Sequence, residues 1–81
     1  MGEEVKVLMP KLGLTMKSGT ITKWLKKEGD HVEKDEVIAM IETEKLSGEL
    51  KAPAAGTLEK ILKKEGEEVP VGEVVAIIKT S

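Results

Sequence analysis

The chain has 81 residues, 40% hydrophobic and 35% charged, which is enough apolar material for one small core and leaves no room for a second domain. Thirteen lysines stand against 15 acids, for a net charge of −2, so no basic field exists to hold nucleic acid or an anionic membrane. Cysteine is absent, which excludes disulfides, thiol nucleophiles and cysteine-ligated zinc and means that any redox chemistry must arrive with an attached group. Arg, Asn, Gln, Phe and Tyr are missing as well, and a chain rich in Lys and Glu with no side-chain amides has a thermophile's composition. Apolar runs stop at five residues, as in Val37 to Ile41, and the opening MGEEVKV lacks the blocks of a signal peptide, so a cytoplasmic location is expected.

The elements in chain order are short and β-like. A first strand is expected over Val5 to Met9, followed after Pro10 by the irregular stretch KLGLTMKS. Further strands, each rich in Val, Ile, Thr and Leu, are expected at Thr20 to Leu25, Val37 to Glu42, Leu46 to Ala52, Thr57 to Leu62 and Val74 to Lys79. Turn signals separate them: KKEGD, EKDE, PAAG, KKEGEE and PVG. No stretch keeps a helical apolar period for more than two turns before a Gly or Pro intervenes, so the fold class is all-β, with about eight strands.

An internal repeat organises these elements. Shifting the sequence by 37 residues lays segment 19–43 over segment 56–80 with 14 of 25 positions identical, including Gly19/Gly56, Gly29/Gly66, Val32/Val69, Ala39/Ala76, Ile41/Ile78 and Thr43/Thr80. VKVLMP (5–10) matches GELKAP (48–53) more weakly, and copy one carries six extra residues between its proline and Gly19. Two four-strand units, neither able to bury its apolar face alone, are expected to pack as a sandwich or barrel about a pseudo-two-fold axis, in which both halves are needed. The axis should send Thr43 and Thr80 to opposite ends and bring Met1 near Ser81, with Val5 to Met9 in the sheet of Val74 to Lys79.

Function is expected where the copies differ. After Thr43 the first copy continues through Glu44, Lys45 and Leu46, whereas the second stops at Ser81. The segment Ile41 to Leu46 must therefore join two strands as a hairpin. It contains no Gly, Asn or Asp to supply positive φ, which disfavours a type I′ or II′ connection and favours a loop built around a type I turn. Lys45 would project from its tip. A solvated turn residue is the bland reading of any single lysine among thirteen. Catalysis by its free amine is disfavoured, because Glu42 and Glu44 favour the protonated form. An exposed amine at a rigid tip is nevertheless a good acceptor for a ligase that delivers an activated acyl group.

The hairpin sequence ETEKL resembles the Glu-Ser/Thr-Asp/Glu-Lys-Ala/Val/Leu signature of lipoyl domains from the acyltransferases of 2-oxoacid dehydrogenase complexes. MPKLGLTMKSGTI, KKEGDHVEKDE with Gly29 sixteen residues before Lys45, and KAPAAGTL with Gly56 eleven after it extend the resemblance over nearly the whole chain. It implies a flattened barrel of two four-stranded antiparallel sheets forming one carrier domain, residues 1–81, excised from a larger acyltransferase chain. It also implies lipoate in amide linkage to Lys45, with Glu42, Thr43, Glu44 and Leu46 as the context a lipoate ligase or lipoyl synthase system reads. The implied partners are a thiamine-diphosphate-dependent 2-oxoacid decarboxylase, an acyltransferase core and dihydrolipoyl dehydrogenase, served by a non-catalytic, monomeric swinging-arm domain.

The rival resemblance is to the biotinyl carrier domain of biotin-dependent carboxylases, whose hairpin holds a Met-Lys-Met-like sequence where this chain has Glu44-Lys45-Leu46; Met16-Lys17 lies in the inserted loop instead. The glycine-cleavage carrier protein is also similar but longer. An unmodified adaptor barrel lacks a use for the hairpin lysine, and no Ser/His/Asp or paired-carboxylate set supports an enzyme. Leu12, Leu14 and Met16 of the inserted loop are the expected partner-recognition residues, since the resemblance places that loop beside the hairpin. His31 is expected as a solvated turn residue with no acidic companion, Trp24 as a packing residue, Gly29 and Gly66 at positive φ, and Gly48 at a bulge or close approach. No metal is implied.

Overall fold

Eight strands make up residues 3–80, the part of the chain that the computed structural model describes: β1 (Glu3–Leu8), β2 (Ser18–Trp24), β3 (His31–Val32), β4 (Val37–Glu42), β5 (Ser47–Lys51), β6 (Gly56–Ile61), β7 (Glu68–Pro70) and β8 (Val74–Thr80). They form two four-stranded antiparallel sheets, ordered β1-β8-β6-β3 and β5-β4-β2-β7. The all-β expectation holds, and the six longer strands lie within two residues of their expected bounds. β3 and β7 fall where the sequence reads as turns. Two or three residues show no periodicity; pairing makes them strands, through His31 with Thr57 and Val32 with Gly56 in one sheet and Glu68 with Thr20 and Val69 with Gly19 in the other.

The repeat governs this topology pairing by pairing. Replacing β1, β8, β6 and β3 by their repeat partners β5, β4, β2 and β7 turns one sheet order into the other. The register follows: Ile21 faces Ile41 as Leu58 faces Ile78, and Trp24 faces Ala39 as Ile61 faces Ala76. Each sheet mixes strands of both copies, so neither half can close a sheet alone. Gly29 N–H donates to Leu58 O at 2.7 Å, and Gly66 N–H donates to Ile21 O at 2.7 Å. Such reciprocal contacts are the mark of a two-fold axis rather than a translation.

The core repeats as well. Its fourteen buried hydrophobic residues are seven equivalent pairs: Val7/Leu50, Met9/Ala52, Ile21/Leu58, Val32/Val69, Ile38/Val75, Ala39/Ala76 and Ile41/Ile78. Strict strand alternation would put Ile38 and Ala39 on opposite faces, yet both are buried. A register shift between Val37 and Ala39 against β5 makes Ile38 an extra residue, and the bulge re-aims it inward. The shift against β1 that leaves Val75 unpaired does the same in copy two. At the turn before β4, Asp35 has φ 67°, and its repeat equivalent Gly72 has φ 90°. That turn needs the left-handed region in both copies, which glycine enters without penalty and aspartate tolerates. Gly29 and Gly66 take positive φ as expected.

The two ends of the molecule are thereby set. β4 and β8 both start beside the groove that the ends of β1 and β5 share near Leu8, Met9 and Lys51. At ~3.3 Å per residue they span roughly 20 and 23 Å; running apart they fill the 40 Å long axis of the molecule, and running side by side they would cover half of it. The β4–β5 hairpin therefore caps one end, and Thr80, paired with Glu3, lies at the other. The expected placement of Met1 and Ser81 falls outside the described residues.

Candidate functional site

The connection between Glu42, which pairs with Ser47, and β5 is four residues long: Thr43, Glu44, Lys45 and Leu46. Thr43 N–H donates to Leu46 O at 2.6 Å, and Leu46 N–H donates to the Thr43 hydroxyl at 2.9 Å. Glu44 and Lys45 are thus the central residues of a tight turn. Neither has positive φ, since Asp35 is the one non-glycine residue in that region among those described. This excludes types I′ and II′, as expected from the lack of Gly, Asn or Asp. Glu44 and Lys45 are exposed, and Lys45 takes part in none of the ion pairs found among the described residues.

The inserted loop packs against this hairpin. Leu12 covers Gly48, where a Cβ would lie 2.7 Å from the Leu12 side chain. Leu46 reaches over Gly13, and Met16 lies over Gly19, with 3.0 and 2.9 Å to the equivalent positions. Leu12 N–H donates to the Met16 sulfur at 2.9 Å, and Met16 N–H donates to Gly13 O at 3.2 Å, closing the loop on itself. Gly48 is therefore a site of close approach and not a bulge, since it pairs regularly with Ile41. A groove of about 670 Å³ runs between loop and hairpin, bordered by Met16, Lys17, Thr20, Glu42, Lys45 and Glu68.

The three loop residues expected to recognise partners do not act alike. Leu12 and Met16 are half-buried against the core and brace the loop. Leu14 is 94% exposed, while Leu46 on the hairpin is 44% exposed. The reason is the loop's turn at Gly13 to Met16, which directs alternate apolar residues inward and leaves Leu14 at the crest. Ser18 and Glu68, bonded at 2.7 Å, complete the groove wall. Sequence reasoning missed them because β7 reaches the site only by pairing with β2. The left-handed backbone at Asp35 has its sequence signal in the alignment of Asp35 with Gly72.

His31 departs from expectation in two ways: it lies in β3, and its Nε2 contacts the Glu33 carboxylate. Both side chains are exposed and distant in sequence from the hairpin. Trp24 packs against the core as expected, with its indole N–H donating to Lys63 O at 2.9 Å.

The family model described as "Biotin-requiring enzyme" (Biotin_lipoyl) matches residues 5–78. The dihydrolipoyllysine-residue acetyltransferase component of the acetoin cleaving system of Bacillus subtilis (strain 168) is 57% identical over 49 residues, which is 60% of this chain and 12% of that protein. The chain thus spans about an eighth of that curated relative. The solution structure of the lipoyl domain of the 2-oxoglutarate dehydrogenase complex from Azotobacter vinelandii superposes with a TM-score of 0.68 at 34% identity, covering 93% of this chain and 96% of that one. The urea carboxylase of Kluyveromyces lactis superposes with a TM-score of 0.78 at 29% identity, over 94% of this chain and 6% of that one.

Proposed function

The chain belongs to the biotin and lipoyl attachment family, and on that premise we propose that it is the lipoyl carrier domain of a 2-oxoacid dehydrogenase-type acyltransferase, with Lys45 as its attachment residue. The observation that carries this reading is the position of Lys45: an exposed amine at the apex of a closed turn, at the end of the barrel away from Thr80. Among the thirteen lysines it alone follows the ETE sequence at a hairpin tip. The amine suits an acyl acceptor, because it has no partner among the described residues and no burial to overcome.

When bound, a lipoyl group supplies a disulfide that accepts an acyl group together with two electrons. The chain's own part is mechanical. The Lys45 stem adds four rotatable carbons beyond a fixed backbone, so the protein sets where the arm is rooted and the cofactor carries the chemistry. Tethering then raises the arm's effective concentration at the decarboxylase, acyltransferase and dihydrolipoyl dehydrogenase sites, so weak docking suffices and release stays fast. Glu42 and Glu44 beside the amine give the tip an acidic face suited to steered, short-lived encounters. The domain itself performs no bond-making in this scheme.

The biotinyl alternative is less favoured. Its Met-Lys-Met-like element is absent from the hairpin, and the Met16-Lys17 pair is unavailable as a tip because Met16 folds onto Gly19 and Lys17 O accepts the Val71 N–H at 2.9 Å. Incubation with lipoate, ATP and a lipoate ligase, followed by intact mass and peptide mapping, tests the proposal. One lipoyl increment on Lys45 is expected, with Lys45→Ala folded and unmodified. A lipoyl group on any other lysine, or biotin on Lys45 from a biotin ligase, would overturn it.

A further inference from the structure

Thr43 and its repeat partner Thr80 form the same clamp at opposite ends of the barrel. The Leu46 N–H donates to Thr43 Oγ1 at 2.9 Å, and the Thr43 hydroxyl lies 3.2 Å from Leu46 O. The Glu3 N–H donates to Thr80 Oγ1 at 3.3 Å, and the Thr80 hydroxyl lies 3.2 Å from Glu3 O. Leu46 and Glu3 are themselves equivalent under the 43-residue offset that relates β5 to β1. The clamp therefore joins two strand ends whether or not a turn connects them. What differs is the consequence: at one end the strands are bridged by Glu44 and Lys45, and at the other they are not.

In an ordinary β-turn the main-chain carbonyl of the first residue accepts the N–H of the fourth. Here the hydroxyl of Thr43 takes that role, and the Leu46 N–H is not bonded to the Thr43 carbonyl. Moving the acceptor from backbone to side chain changes the dihedral angles that Glu44 and Lys45 must adopt to close the turn. The Cα–Cβ direction of Lys45 thus depends on the Thr43 Oγ1. Resting on the reading of Lys45 as the acylated residue, we propose that Thr43 is a positioning residue for lipoylation, whose hydroxyl aims the Lys45 amine at the ligase. Thr43 does not itself touch the reacting atoms. Its side chain is half-buried, and its hydroxyl is engaged by Leu46.

The repeat provides a matched control. Thr43→Val keeps the β-branched shape and removes the hydroxyl, Thr43→Ser keeps the hydroxyl, and Thr80→Val removes the same two bonds where no turn lysine stands, the neighbouring Lys79 lying within β8. Lipoylation by lipoate, ATP and a lipoate ligase should be followed as kcat and KM, alongside urea midpoints. Thr43→Val and Thr80→Val should lose similar stability. Only Thr43→Val should lose lipoylation, by about tenfold or more and chiefly in kcat, because the amine is misaimed rather than unbound. Thr43→Ser should recover most of the rate. Equal rates for Thr43→Val and Thr80→Val, or a Thr43→Ser as slow as Thr43→Val, would overturn the proposal. If Thr43→Val does not fold, the wild-type Leu46 amide decides: slow hydrogen exchange supports the clamp, and exchange at the rate of an open peptide refutes it. A wild-type protein that takes no lipoate on Lys45 refutes the functional reading instead.

Discussion

Gly19 and Gly56 hold the same place in the two repeats, yet alanine should have different effects at each. A Cβ on Gly56 would lie 2.4 Å from Lys79 O, 2.9 Å from Lys79 C and 3.0 Å from Ile78 Cγ2. Lys79 is on β8, held in the ladder opposite Thr57, so the clash is relieved only by parting two central strands of that sheet. At Gly19 the nearest atoms are Met16 Cε at 2.9 Å and Met9 Sδ at 3.2 Å, both on flexible side chains that can turn aside. Overpacking costs about 1–3 kcal/mol, and a backbone obstacle puts Gly56→Ala at or above the upper end. Replacing a strand glycine by alanine returns roughly 0.5–1 kcal/mol, which nearly cancels the small cost at Gly19. Gly56→Ala should therefore lose about 2–3 kcal/mol net and Gly19→Ala less than ~1 kcal/mol. For a domain of this size 1 kcal/mol moves the Tm by roughly 4–8 °C, so the two variants should differ by about 10 °C in thermal melts and visibly in urea midpoints. A Gly56→Ala as stable as Gly19→Ala would refute the close approach.

Two further outcomes follow from the surface. Glu36 is held below the usual carboxylate range by its bond to Lys26 Nζ at 2.8 Å and by the Glu33 N–H. A carboxylate depressed in the folded state stabilises above its unfolded value and loses that contribution as pH falls through the folded one. Urea titrations should thus show wild type and Glu36→Gln diverging at neutral pH and converging as pH falls below the ordinary glutamate value and through the depressed one; a difference independent of pH would count against the ion pair. Exchanging Glu44 and Lys45 should change stability by less than ~0.5 kcal/mol, as both side chains are exposed, while lipoylation of the moved lysine should fall at least about tenfold. An unchanged rate would mean that the ligase reads proximity and not direction.

Much of the site was legible because the repeat made it so. Where two copies agree, shared structure is the reason, and the mismatch after Thr43 singles out Lys45 from the sequence itself. The turn class at Glu44 and Lys45 followed from the absence of residues that accept positive φ. Leu12, Leu14 and Met16 were not separable in the same way. Their apolar character is alike, and only the fold of Gly13 to Met16 sends two inward and one out. The hydroxyl of Thr43 was visible as a residue type but not as a turn acceptor, since its partner depends on backbone angles that sequence does not print.

Sequence alone determined the all-β class, the duplication and the hairpin lysine, because each depends on local residue chemistry or on comparison of one copy with the other. The tertiary structure decided which strands share a sheet, that β3 and β7 exist at all, and that Ile38 and Val75 turn inward at bulges. It also decided that the inserted loop is seated on the hairpin through Gly13, Gly19 and Gly48. These features are products of pairing between residues far apart in the chain, and a two-residue strand or a single extra residue in a ladder has no periodicity of its own from which to be read.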